Sequence, residues 1–437
     1  MKIPSHPANV LQEFGKKHPE ISFIRFQWQD YSGVHRARVL ILESVVDLVD
    51  EGKSIQAAGV AIDCTVTNDV LPRKPPRGMH FAVPDWSSLR VSSHPGTALV
   101  MCALNYQIQD LPLRSDLCPR QTLAKVLQEA SHAWELDFLV GFEVEFVVMK
   151  SSSGSSGTMT RHSDGLGHFA VSGFRDSCYQ YVEECVHGLR AQGAKIQAVH
   201  TEGFRGQYEI VLGPLPPMQA IDQLVLVHEY LKGTFYRHGY MVTMSPKPMA
   251  TESQANGQHV HLSLQPASPF LEASFLAGIL KRLPSLCSFC LPLEASYERL
   301  GVRMAGETVS WGTHSRLVPI RKVEPSHWEI RCIDVTANMY STMAAILGAG
   351  LLGLSGKEPL VWPDLGIPEN QHLACNSVPL PQSLNESLDA LHMDTGSLAS
   401  MIGRPMIDHF IELKRYEQSR IKNMDPQAIR ELLIEQF

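Results

Sequence analysis

The stretch GFEVEFVVM, Gly141–Met149, carries two messages in one strand. Successive side chains on a strand point to opposite faces. Phe142, Val144, Phe146 and Val148 therefore make an apolar face, and Glu143 and Glu145 share the other. Three further segments repeat the pattern. In GQYEIVL (Gly206–Leu212), Tyr208 and Ile210 lie opposite Gln207 and Glu209, with Glu202 seven residues upstream of Glu209. In HVHLSL (His259–Leu264), Val260, Leu262 and Leu264 lie opposite His259, His261 and Ser263. In HWEIRCI (His327–Ile333), Trp328, Ile330 and Cys332 lie opposite His327, Glu329, Arg331 and Ile333. Half-exposed strands with ordinary solvent faces alternate in the same way. Such faces mix Lys, Thr, Ser and Glu, however, whereas these carry Glu, His and Arg without Lys. Carboxylates at i and i+2 stand about 7 Å apart, and in apolar surroundings they repel unless a cation lies between them. Four or five carboxylates and an imidazole suit a hard divalent ion, Mg²⁺ or Mn²⁺, better than zinc. Arginines across from such a set bind carboxylate or phosphate in bidentate fashion. Together these groups are equipment for phosphoryl transfer.

The rest of the chain is consistent with a soluble globular protein and excludes several classes. Its 437 residues are 44% hydrophobic and 19% charged, and 38 basic against 45 acidic residues leave a formal charge of −7 with no basic tract. A nucleic-acid surface is disfavoured by that balance. The longest apolar run, Met343–Leu354, is about a dozen residues where a membrane span needs about 20, and the N-terminus lacks the apolar core of a signal peptide. Nine scattered cysteines, an odd number, point to reduced thiols in the cytosol. Cys287 and Cys290 have CxxC spacing but no second pair to complete a zinc site, and read as buried thiols. Neither a GxxxxGK[ST] loop nor a GxGxxG fingerprint is present.

Residues 1–20 read as a short helix, and Ile21–Leu42 as a hairpin turning at Tyr31-Ser32-Gly33. With the proline-rich Leu71–Pro76 loop and a strand over Thr97–Leu104, they suggest a small β-rich domain ending near Asp110–Arg120. Strands alternating with long helices follow, including an amphipathic helix over residues 220–238 and two C-terminal helices broken at Asp425-Pro426. Ser151–Thr158 (SSSGSSGT) reads as a flexible surface loop.

The ordered motifs resemble the glutamine synthetase family over nearly the whole chain. Asp30-Tyr-Ser-Gly33-Val-His-Arg36, Pro119-Arg120, Gly141–Phe146, His200-Thr-Glu202…Gly206-Gln-Tyr-Glu209, His238-Gly239…Pro246-Lys-Pro248, Gly257-Gln-His259-Val-His261-Leu-Ser263, Ser296–Leu300, Trp311-Gly312…Arg316…Arg321 and Glu329-Ile-Arg331…Asp334…Ala337-Asn338-Met-Tyr340 are similar to its conserved segments and follow in its order. The resemblance implies an α+β fold, with an N-terminal β-grasp domain (1–112) and a catalytic domain (113–437) built on a curved antiparallel sheet flanked by helices. It implies that Glu145, Glu202 and Glu209 hold one Mg²⁺ or Mn²⁺ and Glu143, His259 and Glu329 a second, with two or three ions per site. By the same resemblance Arg299 and Arg331 grip the carboxylates of glutamate, Arg316 and Arg321 contact the phosphates of ATP, and His261 and Ser263 lie beside the nucleotide. A cytoplasmic homo-oligomer of stacked rings, a decamer or dodecamer, is implied as well.

The departures fall on the acceptor side. Glutamine-forming members carry N-G-x-G-x-H before the histidine strand; here the first two positions are Gln254 and Ala255. The catalytic-loop Glu is replaced by Ala305, and the nearest acid, Glu307, is two residues away. The D-G-S-S segment has no clear counterpart in Gln56–Asp63, and the Asn before the phosphate arginine is Ser315. This pattern resembles the γ-glutamyl-amine ligases, which join glutamate to a larger amine, more than it resembles glutamine synthetase. Two alternatives stay open: glutamine synthesis from ammonia, and a catalytically silent assembly protein.

Overall fold

The computed structural model describes residues 7–72, 78–107, 112–151, 159–250, 254–301 and 304–437. Residues 73–76 of the proline-rich loop and 152–158 of the serine–glycine tract lie outside the described residues. The first sheet has six strands: β1 (Phe23–Gln29), β2 (His35–Ile41), β3 (Ile55–Ala57), β4 (Met79–Pro84), β5 (Arg90–Val91) and β6 (Thr97–Gln107). Their order is β2-β1-β6-β4-β3, with β5 on β6. Pairs β1 and β2 form the expected hairpin, while β1 and β6 run parallel. Helices α1 (Pro7–Lys17) and α2 (Leu42–Asp50) flank this part.

The second sheet holds nine strands: β7 (Asp137–Ser151), β8 (Met159–Arg161), β9 (Ile196–Thr201), β10 (Gln207–Leu215), β11 (Met241–Thr243), β12 (Gln258–Gln265), β13 (Trp311–Thr313), β14 (Ile320–Glu324) and β15 (His327–Ile330). Its path is β13-β14-β15-β12-β7-β10-β9, with β8 and β11 on β7. All of its pairs are antiparallel except β13 with β14. The sheet curls into a half-barrel. The remaining helices are α3 (Pro119–Trp134), α4 (Tyr179–Ala191), α5 (Pro217–Arg237), α6 (Pro269–Cys290), α7 (Glu294–Tyr297), α8 (Met339–Ser355), α9 (Leu384–Ile402), α10 (Arg404–Ile421) and α11 (Pro426–Gln436).

The apolar sheet face anticipated in β7 is the buried one. Phe142, Val144, Phe146 and Val148 are at most 1% exposed. Phe235 of α5 packs edge-on against Phe146, and Phe275 of α6 tilts against Phe138. Each such side chain contributes about 1.5–3 kcal/mol on leaving water. The apolar run Met343–Leu354 belongs to α8, which is buried nearly all round and packed by α3, α6 and α9; none of the helices searched is long and apolar enough to cross a membrane. Cys287 and Cys290 are buried free thiols.

One strand is shorter than its alternation suggests. Pairing stops at Ile330, where the chain leaves β12 and the Arg331 amide donates to the Pro319 carbonyl. Ile333, assigned above to the polar face, is therefore fully buried, and its carbonyl accepts from the Gln258 amide and from Arg299. Alternation ends with the ladder that enforces it.

Buried polar ties join the first sheet to the helices. Arg120, at the start of α3, holds Asp222 of α5, Asp85 at 2.7 Å and the Tyr340 hydroxyl at 2.8 Å. Glu417 of α10 accepts from Ser32 Oγ (2.6 Å), the Val66 amide (2.7 Å) and Lys414 Nζ (2.7 Å), and both Lys414 and Glu417 are 0% exposed. On α11, Arg430 donates to the Lys247 carbonyl at 2.5 Å and stands 3.7 Å from Glu298, while Lys247 Nζ donates to the Gln254 carbonyl at 3.3 Å. Removing one partner of a buried charge pair strands the other. Glu417→Ala should therefore lower unfolding stability by about 3–5 kcal/mol in denaturant titrations. Asp408→Ala, at the exposed Arg404–Asp408 pair, should stay within about 0.5 kcal/mol.

Candidate active site

Strand register places the polar groups opposite one another. Glu209 of β10 pairs directly with Glu145 of β7, and on its other side with His200 of β9. His259 of β12 pairs with Glu143 of β7, and His261 with Glu329 of β15. Directly opposed residues share a face with Cβ atoms about 5 Å apart, where like charges destabilise a sheet. Opposing Glu145 and Glu209 therefore weakens the fold unless positive charge reaches both.

Imidazoles stand between the carboxylates in this structure. His259 Nδ1 lies 3.2 Å from Glu143 and 3.3 Å from Glu329, and its Nε2 is 3.9 Å from Glu145. His200 stands 3.3 Å from Glu202 and 3.0 Å from Glu209. His261 bridges Glu143 and His327, 3.0 Å from each. Burial works against the Glu143 charge, but hydrogen bonds to His259 and His261 hold its carboxyl well below the usual range. Burial pushes Glu209 up to about 7 and raises Glu145. The Glu202 and Glu209 carboxylates lift His200 to about 10. The carboxylates thus crowd together where a cation would fit.

Three groups of donor atoms each gather within 4.8 Å: Glu143, His259 and Glu329; Glu145, Glu209 and His259; His200, Glu202 and Glu209. Oxygen-rich sets with one imidazole fit a hard divalent ion. The first group is the second ion set expected from the sequence. The first ion set is brought together only partly, since Glu202 meets Glu209 through His200. The sequence pattern assigns His200 no role, although it stands two residues before Glu202, which follows directly on the end of β9.

Gly257 makes the close packing possible. A Cβ there would come within 2.6 Å of His259 Nε2 and 2.9 Å of Arg299 Nη2. Its amide donates to Glu145 Oε2 at 2.9 Å, so the substrate-loop backbone threads between an imidazole and a guanidinium.

Glu143, Glu145, His200, Glu202, Glu209 and His259 line a cavity of about 900 Å³ with Arg299, Arg316, Arg331, Gln254 and Ala255, while Glu329 is not part of the lining. Arg299 is 2% exposed and is fixed by the Ile333 carbonyl at 3.0 Å and by Asp334 at 3.6 Å. Arg331 and Arg321 grip Glu329 from two sides, at 2.5 and 2.7 Å. Arg316 is exposed at the rim. Arg321, His261 and Ser263 are not among the residues lining the cavity. Glu307 is exposed and also off the wall; its carbonyl accepts from the Leu380 amide.

A half-barrel with carboxylates and imidazoles on one face, and with Arg299, Arg316 and Arg331 lining the same cavity, defines a protein of the glutamine synthetase type. The family model described as "Glutamine synthetase, catalytic domain" matches residues 116–431, and the chain belongs to the glutamine synthetase family. It is 29% identical over 450 residues to protein fluG of Emericella nidulans, covering 98% of this chain and 50% of that protein, so it spans about half of that relative's length. It is 28% identical over 344 residues to the γ-glutamylpolyamine synthetase GlnA3 of Streptomyces coelicolor, covering 71% and 72% of the two chains. Against glutamine synthetase of Methanocaldococcus jannaschii the identity is 27% over 440 residues, covering 94% of each. A solved structure titled as a GmaS/ADP complex shares the fold, with a TM-score of 0.81 at 22% identity over 97% and 99% of the two chains.

A ligand that binds only the folded state raises stability by about 2.7 kcal/mol at a hundredfold excess over its Kd. Mn²⁺ is therefore expected to raise the melting temperature, and Glu209→Ala to remove most of that increment in differential scanning fluorimetry.

Proposed function

We propose that the chain is an ATP-dependent carboxylate–amine ligase that phosphorylates the γ-carboxylate of glutamate and couples it to an organic amine. The observation that carries this reading is the cross-strand carboxylate and imidazole set, gathered into three groups of donors, while Gln254, Ala255 and Ala305 stand where glutamine-forming members of the family carry other residues. A purely structural protein gains nothing from opposing Glu145 to Glu209.

In this reading Glu145, Glu202 and Glu209, with His200 beside them, hold one Mg²⁺ or Mn²⁺, and Glu143, His259 and Glu329 hold another, with two or three ions per site. Bound divalent ions offset charge on the transferring phosphoryl group. Arg299 and Arg331 orient glutamate through its carboxylates. Arg316 reaches from the rim to the phosphates, and His261, Ser263 and Arg321 form the nucleotide side. A γ-carboxylate oxygen attacks the γ-phosphorus of ATP, the bond to the bridging oxygen breaks, and ADP leaves with that electron pair. The amine lone pair then attacks the acyl carbon of γ-glutamyl phosphate, the C–O bond to phosphate breaks, and the nitrogen sheds its proton to solvent. The products are the amide, ADP and inorganic phosphate.

The same reading divides the chain into an N-terminal unit (1–112) and a catalytic unit (113–437). It assembles copies into stacked rings of ten or twelve, and places them in the cytoplasm, in keeping with the eight buried free thiols among the described residues.

Phosphate release from ATP, glutamate and a set of amines tests the proposal; phosphate release independent of both glutamate and amine would sink it. Arg316 is solvent-exposed, so Arg316→Ala should lower kcat by about 10²-fold, the usual loss of one charge-stabilising donor. Its melting temperature should stay within experimental error of wild type.

A further inference from the structure

The segment before α4 meets the cavity in an unusual conformation. His168 and Phe169 both have positive φ, +48° and +63°, in a region that side chains other than glycine rarely adopt. Two hydrogen bonds hold them there, from the His168 amide to the Glu202 carbonyl at 2.5 Å and from the Phe169 amide to the Thr201 carbonyl at 3.1 Å. Gly167 permits the approach, since a Cβ there would lie 1.9 Å from the Glu202 carbonyl. Strain maintained by surrounding contacts clusters at ligand sites.

The result is an aromatic ring on the cavity wall. Phe169 packs against His200 with ring centroids 4.7 Å apart, yet remains 62% exposed. Met304 and Leu317, the latter 51% exposed, add apolar surface to the lining of the same cavity. Large apolar groups left wet in a concave site mark a ligand contact.

Charge narrows the ligand further. The carboxylates among the described lining residues are Glu143, Glu145, Glu202 and Glu209, and every one belongs to a metal-holding group. Arg299, Arg316 and Arg331 share the wall. A diamine would bring a second ammonium toward arginines with no free carboxylate among the described lining residues to receive it, and an unpaired charge in such a site is costly. Ammonia would leave the Phe169 face wet.

Resting on the ligase reading above, we infer that the acceptor is a primary amine with an uncharged alkyl or aryl substituent seated against Phe169. Phe169, with Met304 and Leu317, is the specificity-determining surface. The backbone hydrogen bonds from His168 and Phe169 to the Glu202 and Thr201 carbonyls hold that ring in place before substrate arrives.

The full chain is assayed for phosphate release with Mg²⁺, ATP, glutamate and one of four acceptors: ammonia, n-butylamine, benzylamine or putrescine. The expected kcat/KM for butylamine or benzylamine exceeds that for ammonia and putrescine by about tenfold or more, the scale of a few apolar contacts. Phe169→Ser should reduce the butylamine-to-ammonia ratio about tenfold, and Phe169→Leu should restore most of it. Leu317→Asp, at an exposed position, should shift preference toward putrescine by supplying the missing carboxylate. Putrescine or ammonia matching butylamine in the wild type, or an unchanged ratio in Phe169→Ser, overturns the acceptor assignment and leaves the ligase reading standing. Phosphate release that requires neither glutamate nor any of the four amines overturns the ligase reading, and this inference with it.

Discussion

The structure depends on an arrangement that is unfavourable by itself: carboxylates opposed on neighbouring strands with little water to separate them. Glu145 faces Glu209 across β7 and β10, where like charges destabilise a sheet. The apolar faces of the same strands more than offset this, because Phe142, Val144, Phe146 and Tyr208 are buried under helices. A strand cannot release its charged face without withdrawing its apolar one. Hydrophobic burial therefore holds the acids together, and imidazoles or bound cations answer the repulsion.

That coupling explains the layer behind the donors. Glu329 is clasped by Arg331 and Arg321, Glu143 by His259 and His261, and Glu145 by the Gly257 amide. Each contact fixes an oxygen that would otherwise swing away from its neighbours. Where such a set holds a metal, orientation of the ligands by a second set of partners is commonly worth about 10- to 100-fold in affinity. Arg299 belongs to this framework as much as to the cavity, since its guanidinium is tied to the Ile333 carbonyl.

Much of this was legible in the sequence, and for one reason. A period of two in Gly141–Met149 assigns faces before any partner strand is known. It does not assign partners, so the opposition of Glu145 and Glu209 appears only with the register. His200 obeyed the same period but was overlooked because a histidine beside a threonine carries no signal of its own. Alternation also overran the end of β15: Ile333 follows the pattern but not the ladder, and is in the core. Glu307 was singled out by proximity in sequence, yet the chain around Ala305 buries the alanine and turns the acid outward. The left-handed conformation of His168 and Phe169 has no residue-type marker at all. It comes from the packing of Gly167 on the Glu202 loop.

The fastening of α11 has a consequence in time rather than space. Arg430 ties the Lys247 carbonyl and neighbours Glu298, and Lys247 in turn holds the Gln254 carbonyl. The loop before His259 and the turn before Arg299 are thus locked by a helix translated after every element it secures. During synthesis every strand of the acidic face emerges well before its final latch, and a nascent chain must carry that face unfinished until α11 leaves the ribosome.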